Sequence, residues 1–124
     1  MCSPLRVHSN NYLTFDGTCI RDYVHVKDVS KANILAIRYL LDSGTTDYFN
    51  ISTGKGYSVL DLIKFGNAIF EQKVVYELVE ARKGDTPITI CNNHKAKIIL
   101  GWMPQFNIQD IIYDNYHIEK TRKL

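Results

Sequence analysis

The chain has 124 residues, 45% hydrophobic and 23% charged, with 15 basic against 13 acidic side chains and a formal charge of +2. This fits one globular domain with its own core and excludes collagen-like, low-complexity and disordered chains. The charge is too small and too evenly spread to mark a nucleic-acid or anionic-membrane partner, and the basic tail Lys120, Arg122, Lys123 reads as a solvated terminus.

In chain order, Leu5 to Ser9 reads as extended, followed by turn signals at Ser9-Asn10-Asn11 and Asp16-Gly17. Ile20 to Val26 alternates and is rich in Ile, Tyr and Val, which predicts a strand. Asp28 is the expected N-cap of a helix from Val29 to about Asp42, with Val29, Ala32, Ala36, Ile37 and Leu40 near one face and Gly44 ending it. Tyr48 to Ser52 is a short β-like run. Ser58 with Asp61 forms a capping-box variant opening a helix to about Phe70, with Leu62, Ile63 and Ile69 inward. Lys73 to Val79 alternates as a further strand. Asn92 or Asn93 caps a short helix stopping at Gly101, and Asn107 caps the last, whose apolar face is Ile108, Ile111, Ile112 and Tyr116. Strands alternating with helices predict an α/β fold. Three short strands make a marginal sheet, so the domain is irregular or its sheet is completed by something else.

Cys2, Cys19 and Cys91 form no CxxC pair, which argues against a disulfide framework and for a reducing compartment. Met1 to Val7 lacks the apolar core of a signal peptide, and no run approaches the roughly 18 apolar residues of a membrane span. The expectation is a cytoplasmic protein without membrane contact.

His8, His25, His94 and His117 show no metal-ligand spacing, and His25 reads as a packed or hydrogen-bonded structural residue. Thr53-Gly54-Lys55-Gly56 lacks the third glycine of a dinucleotide loop and reads as a turn into the Ser58 cap. Tyr23 with Lys27 and Tyr116 with Lys120 have the spacing of a dehydrogenase Tyr-Lys pair. That chemistry needs a helix, where i and i+4 lie about 6 Å apart along the axis; four residues of strand span about 13 Å. Tyr116-Lys120 has no dinucleotide loop upstream. Neither pair is expected to be catalytic.

Two arginine-aspartate constellations remain, Asp16-Gly17-Thr18-Cys19-Ile20-Arg21-Asp22-Tyr23 and Ala81-Arg82-Lys83-Gly84-Asp85. Guanidinium groups fit phosphate oxygens, and a carboxylate accepts hydrogen bonds from a ribose diol. Two arginines on a diphosphate with Asp85 on a ribose would make a nucleotide anchor. By spacing alone, surface arginines paired with Asp22 or Asp85 are the favoured reading over an anchor.

At these residues the chain resembles a known family. DGTCIRDYVHVKD (Asp16 to Asp28) resembles the signature of UDP-glucose 4-epimerases, of the extended short-chain dehydrogenase/reductase superfamily. YFNISTGKGYSVLDL (Tyr48 to Leu62), RKGDTP (Arg82 to Pro87) and KAKIILGW (Lys95 to Trp102) resemble further family segments in the same order. The chain departs from the family pattern at Ser52, Asn92 and His94, and at Ser9-Asn10-Asn11 where G-D-D is common.

The resemblance implies that the chain is the C-terminal, UDP-sugar-binding portion, residues 1–124, with the Rossmann domain, its NAD loop and the catalytic Ser/Thr-Tyr-Lys set elsewhere. It places Arg21 and Arg82 on the UDP diphosphate, Asp85 on the uridine ribose, and Thr89 where small side chains leave room for an N-acetyl group. In such epimerases NAD takes a hydride from the sugar C4 and returns it to the opposite face of the 4-keto sugar. The turn of that intermediate requires loose sugar contacts and a tight hold on UDP. No NAD is expected on this chain alone, which implies a separately encoded NAD-binding half. A non-catalytic UDP-sugar-binding module and a non-functional remnant are the alternatives.

Overall fold

The computed structural model describes residues 4–122. Over these residues the fold is α/β. Its strands are β1 (Leu5–His8), β2 (Ile20–Arg21), β3 (Tyr57–Ser58), β4 (Tyr76–Val79) and β5 (Ile88–Thr89). Its helices are α1 (Val26–Ser43), α2 (Val59–Ile69), α3 (His94–Leu100) and α4 (Ile108–Arg122). Two small sheets form: β1 pairs with β4 in parallel, and β2 lies between antiparallel β3 and parallel β5.

The predicted strand from Ile20 to Val26 is cut to its first two residues. The side chains that made Asp22 to His25 look like a strand serve instead as anchors. The Asp22 carboxylate binds a distant loop, and the His25 Nδ1 accepts the Lys27 N–H at 3.1 Å to cap α1. His25, not Asp28, is therefore the N-cap, and the helix starts at Val26. Gly44 ends it in the left-handed conformation, as predicted.

Asp28 lies buried in the first turn and accepts the backbone N–H groups of Gln105 (3.0 and 3.1 Å) and Phe106 (3.2 Å). The Trp102 indole N–H donates to the Asp28 carbonyl at 2.9 Å, so one residue of α1 fixes the whole approach to α4. Trp102 is fully buried with Ala32, Ala96 and Leu100, and Leu35, Ala36, Tyr39, Phe49 and Ile51 pack around them. Ala32 and Ala96 let α1 and α3 approach closely. The face that packs is therefore Ala32, Leu35, Ala36 and Tyr39; the expected Val29, Ile37 and Leu40 are exposed.

The Ser58–Asp61 capping box forms as predicted: Ser58 Oγ accepts the Asp61 N–H at 3.0 Å and Asp61 accepts the Ser58 N–H at 3.1 Å. Asn107 and Asp110 make the same reciprocal pair at α4, at 3.0 and 2.8 Å. At α3 the His94 N–H is taken by Asn92 (2.8 Å), while the Asn93 amide donates to the Ser52 carbonyl (2.7 Å). Of Lys73 to Val79 only Tyr76–Val79 enters a ladder, and Tyr48 to Ser52 has no strand partner among the described residues. The strand β5 is absent from the sequence expectation, because two residues between Pro87 and Ile90 leave no period to read.

Around Asp16, its carboxylate accepts Thr18 N–H (2.9 Å), Thr18 Oγ1–H (2.8 Å) and the Ser58 hydroxyl, joining the Asp16-Gly17 turn to the start of α2. Gly17 has φ +81° and a Cβ there would stand 1.8 Å from the Asn10 carbonyl oxygen, so only glycine closes this turn.

The described cysteines, Cys19 and Cys91, are free; Cys2 and Lys123 lie outside the described residues. No helix is long and apolar enough to cross a membrane.

Two predictions follow from these anchors. Asp28→Ala strands the part-buried N–H groups of Gln105 and Phe106 and should cost about 2 kcal/mol, read as a lowered urea midpoint. For Asp16, burial pushes the carboxyl up, but the bonds from Ser58 and Thr18 outweigh it and hold the value below the usual carboxylate range. Its stabilisation is thus full above the unfolded carboxyl value of about 3.9 and is lost as pH falls through the lower folded value. Ser58→Ala should flatten the fall of the urea midpoint between about pH 5 and 2; an unchanged slope would show that Asp16 does not carry it.

Candidate functional site

The sheet β3-β2-β5 gathers the residues singled out from the sequence. In the parallel β2–β5 pairing Arg21 stands opposite Thr89, and Ile20 opposite Ile88. The Ile20 N–H donates to the Pro87 carbonyl at 2.8 Å, which fixes that register at its mouth. On the other side Arg21 stands opposite Tyr57 of β3. Gly56, just before β3, meets Ile20 and Ile90; a Cβ there would stand 2.5 Å from both side chains, so the strand approaches only because the residue is glycine.

Arg82 and Asp85 sit on the loop that leads into β5. Arg82 Nε is 3.0 Å from Asp85 Oδ2, and the Asp85 N–H donates to the Arg82 carbonyl at 3.2 Å, with Gly84 at φ +90° between them. The contact uses Nε, so the outer guanidinium nitrogens and the second carboxylate oxygen remain outside it. Thr86 and Thr89 share a hydroxyl–hydroxyl bond at 2.7 Å, which holds the Thr89 side chain toward the loop. The four residues thus fall into two linked pairs: Arg21 with Thr89 by strand register, Arg82 with Asp85 by an ion pair at the entrance to the same strand.

Arg21 is half-buried, and its Nη1 donates to its own Ile20 carbonyl at 2.9 Å. Of the two structural pairings open from the sequence, Arg82 with Asp85 forms and Arg21 with Asp22 does not. Asp22 accepts the Thr53 N–H (2.9 Å), the Thr53 hydroxyl (2.6 Å) and the Gly54 N–H (2.9 Å). Sequence spacing missed this role, since its partners stand over thirty positions away. The Thr53–Gly56 segment is a turn ahead of the Ser58 cap, as expected from its missing third glycine, and its two leading amides face a carboxylate.

In both Tyr-Lys spacings the lysine pairs with a carboxylate of another segment. Lys27 lies on α1 and points to Asp114 of α4 at 2.7 Å, while burial pushes the Tyr23 phenol up, against the lowering that a phenolate base requires. Lys120 pairs with Glu71 at 3.3 Å, which raises it. His25 is structural: beyond capping α1 it stacks on Phe106 with ring centroids 4.3 Å apart, and its Nε2 faces Asp114 at 3.3 Å. Among the described residues no three His, Cys, Asp or Glu side chains cluster for a metal.

Comparison with known proteins follows this layout. The profile of the GDP-mannose 4,6 dehydratase family matches residues 5–115. A UDP-glucose 4-epimerase of Rhizobium leguminosarum bv. trifolii is 37% identical over 86% of this chain and 33% of its own length. Among solved structures, the UDP-glucose 4-epimerase of Stenotrophomonas maltophila with bound NAD and formylated UDP-arabinopyranose superposes with a TM-score of 0.88 at 31% identity. That match covers 98% of this chain and 37% of the other. The enzyme from Bifidobacterium longum in complex with NAD+ and UDP gives 0.88 at 28% identity, over 98% and 36%. The chain therefore spans about a third of the length of the relatives it matches.

Asp22→Ala releases the Thr53 and Gly54 amides from their acceptor. Hydrogen exchange at these two amides should quicken by about tenfold or more, matching the loss of a charge-assisted bond, with Gly44 and Leu100 amides as unaffected controls.

Proposed function

The chain belongs to the GDP-mannose 4,6 dehydratase family, and on that premise we propose that it is the C-terminal, UDP-sugar-anchoring portion of a UDP-glucose 4-epimerase. In this reading residues 1–124 form a single UDP-sugar-binding domain. Arg21 and Arg82 hold the diphosphate, Asp85 binds the uridine ribose, and Thr89 borders the sugar, where its small side chain leaves room for an N-acetyl group. The observation that carries the reading is the β2–β5 register, which sets Arg21 beside Thr89 on the strand that the Arg82–Asp85 loop feeds.

Two guanidinium groups from separate segments suit a diphosphate, because each offers a planar fork of N–H donors that matches phosphate oxygens. Arg82 is already preorganised by Asp85, and Asp85 keeps an oxygen for a ribose hydroxyl.

The residues present do not fit NAD. The chain's one glycine-rich turn, Thr53 to Gly56, has its Thr53 and Gly54 amides bound to Asp22, so they are not offered to a dinucleotide phosphate. Hydride chemistry then belongs to a separate NAD-binding half of the fold, and the chain alone is an anchor without epimerase activity.

Calorimetry with UDP tests the anchor. Binding is expected for the full chain, weakened about tenfold or more by Arg21→Ala and again by Arg82→Ala, as loss of a charge-assisted phosphate contact predicts. No heat at millimolar UDP would overturn the reading. C4 epimerisation of UDP-glucose by this chain alone would overturn the assignment of the chemistry to another half.

A further inference from the structure

The N-cap of α1 is a histidine, outside the Ser, Thr, Asp and Asn set that usually fills this place. A hydroxyl or amide cap accepts its hydrogen bond at any pH, whereas an imidazole nitrogen accepts only while it carries no proton. His25 Nδ1 takes the Lys27 N–H at 3.1 Å, so Nδ1 is bare and the ring proton sits on Nε2.

That proton has nowhere settled to go. The His25 ring is 2% exposed, and its Nε2 has no hydrogen-bond partner among the described residues. Asp114 Oδ2 stands 3.3 Å away without completing a bond, and the same oxygen is held by the Lys27 ammonium at 2.7 Å. One carboxylate of α4 thus lies between two cationic or potentially cationic groups at the start of α1. The charged side chains around His25 are Asp114 from α4, and Lys27 and Asp28 from α1, of which Asp28 is committed to the Gln105 and Phe106 amides. The segment leading into α4 presents Phe106, stacked on the ring with centroids 4.3 Å apart, and adds no charge.

From this we infer that His25, Asp114 and Lys27 form a proton-operated latch at the joint of α1 and α4. With His25 neutral, Nδ1 caps the helix and Lys27 holds Asp114. With His25 protonated, Nδ1–H opposes the Lys27 N–H donor to donor, the cap is lost, and Nε2–H draws Asp114 away from the Lys27 ammonium. A positive ring at a helix N-terminus is also disfavoured by the aligned peptide dipoles, which adds to the opening of the first turn. Imidazole is the side chain whose charge changes across the physiological range, so the latch answers to ordinary shifts of pH. It uses none of the residues assigned to UDP and stands whether or not that reading holds.

Nitrogen-15 NMR of the full chain at pH 8 should show the Nε2–H tautomer of His25; an Nδ1–H tautomer would overturn the latch. Hydrogen-exchange protection at the Lys27 amide, and at Val29, whose N–H bonds to the His25 carbonyl, should fall about tenfold between pH 8 and 5, the size of a lost N-cap. The Gly44 and Phe70 amides, bonded to Leu40 and Gly66 carbonyls far from the ring, serve as controls. His25→Asn caps at any pH and should keep that protection level across the range. Asp114→Asn withdraws the acceptor of the charged ring and should move the fall to lower pH. Lys27→Met frees Asp114 for the ring and should move it to higher pH. A fall that persists in His25→Asn, or one whose midpoint neither Asp114→Asn nor Lys27→Met displaces, would overturn the inference.

Discussion

Sheets of two-residue strands cannot hold a fold together by their own ladders, so something else must fix the loops between the helices. Here it is the carboxylate. Asp16, Asp22 and Asp28 follow one another along a single stretch, and each accepts hydrogen bonds from a segment far away in sequence: Ser58 at the start of α2, the Thr53-Gly54 turn, and the Gln105-Phe106 approach to α4. An ionised carboxylate accepts several N–H or O–H groups at once, and such bonds are about twice as strong as neutral ones. Three of them in a row make this stretch the spine from which the rest of the domain hangs.

That division of labour changes how the stretch DGTCIRDYVHVKD is understood. Its aspartates are taken up by backbone N–H and hydroxyl groups, and His25 by the cap of α1. Arg21 is displayed by a strand that Asp22 on one side and the Pro87 carbonyl on the other hold in register. A residue kept in place by its neighbours' bonds reaches a ligand without first being ordered, which is how affinity is gained without new contacts.

The helices were largely legible because their signals are local. Ser58 with Asp61, Asn107, Gly44 and Gly101 mark ends through bonds reaching three to five residues, and each stands where expected. What was hidden depends on distant partners. Asp28 looked like a cap because aspartate before an apolar run commonly is one; only the fold shows that Gln105 and Phe106 take its oxygens. The two residues of β5 owe their strand geometry to β2, and the outward turn of Ile37 and Leu40 follows from which face of α1 meets Ala96. Arg21, Arg82 and Asp85 stood out by residue type and Thr89 through the resemblance, but the pairing of Arg21 with Thr89 required the register.

The sheet pairings also set the order of events in folding. Leu5 meets Tyr76, Ile20 meets Ile88, and Asp28 meets Gln105. Every one of these contacts closes a loop of most of the chain, and such loops are slow to close because their entropy is lost before the contact rewards it. During synthesis the helices α1 and α2 can form as soon as they emerge, but neither sheet is complete until β4 (Tyr76–Val79) or β5 (Ile88–Thr89), respectively, has left the ribosome. The register that sets Arg21 beside Thr89 therefore exists only once the loop between β2 and β5 has closed.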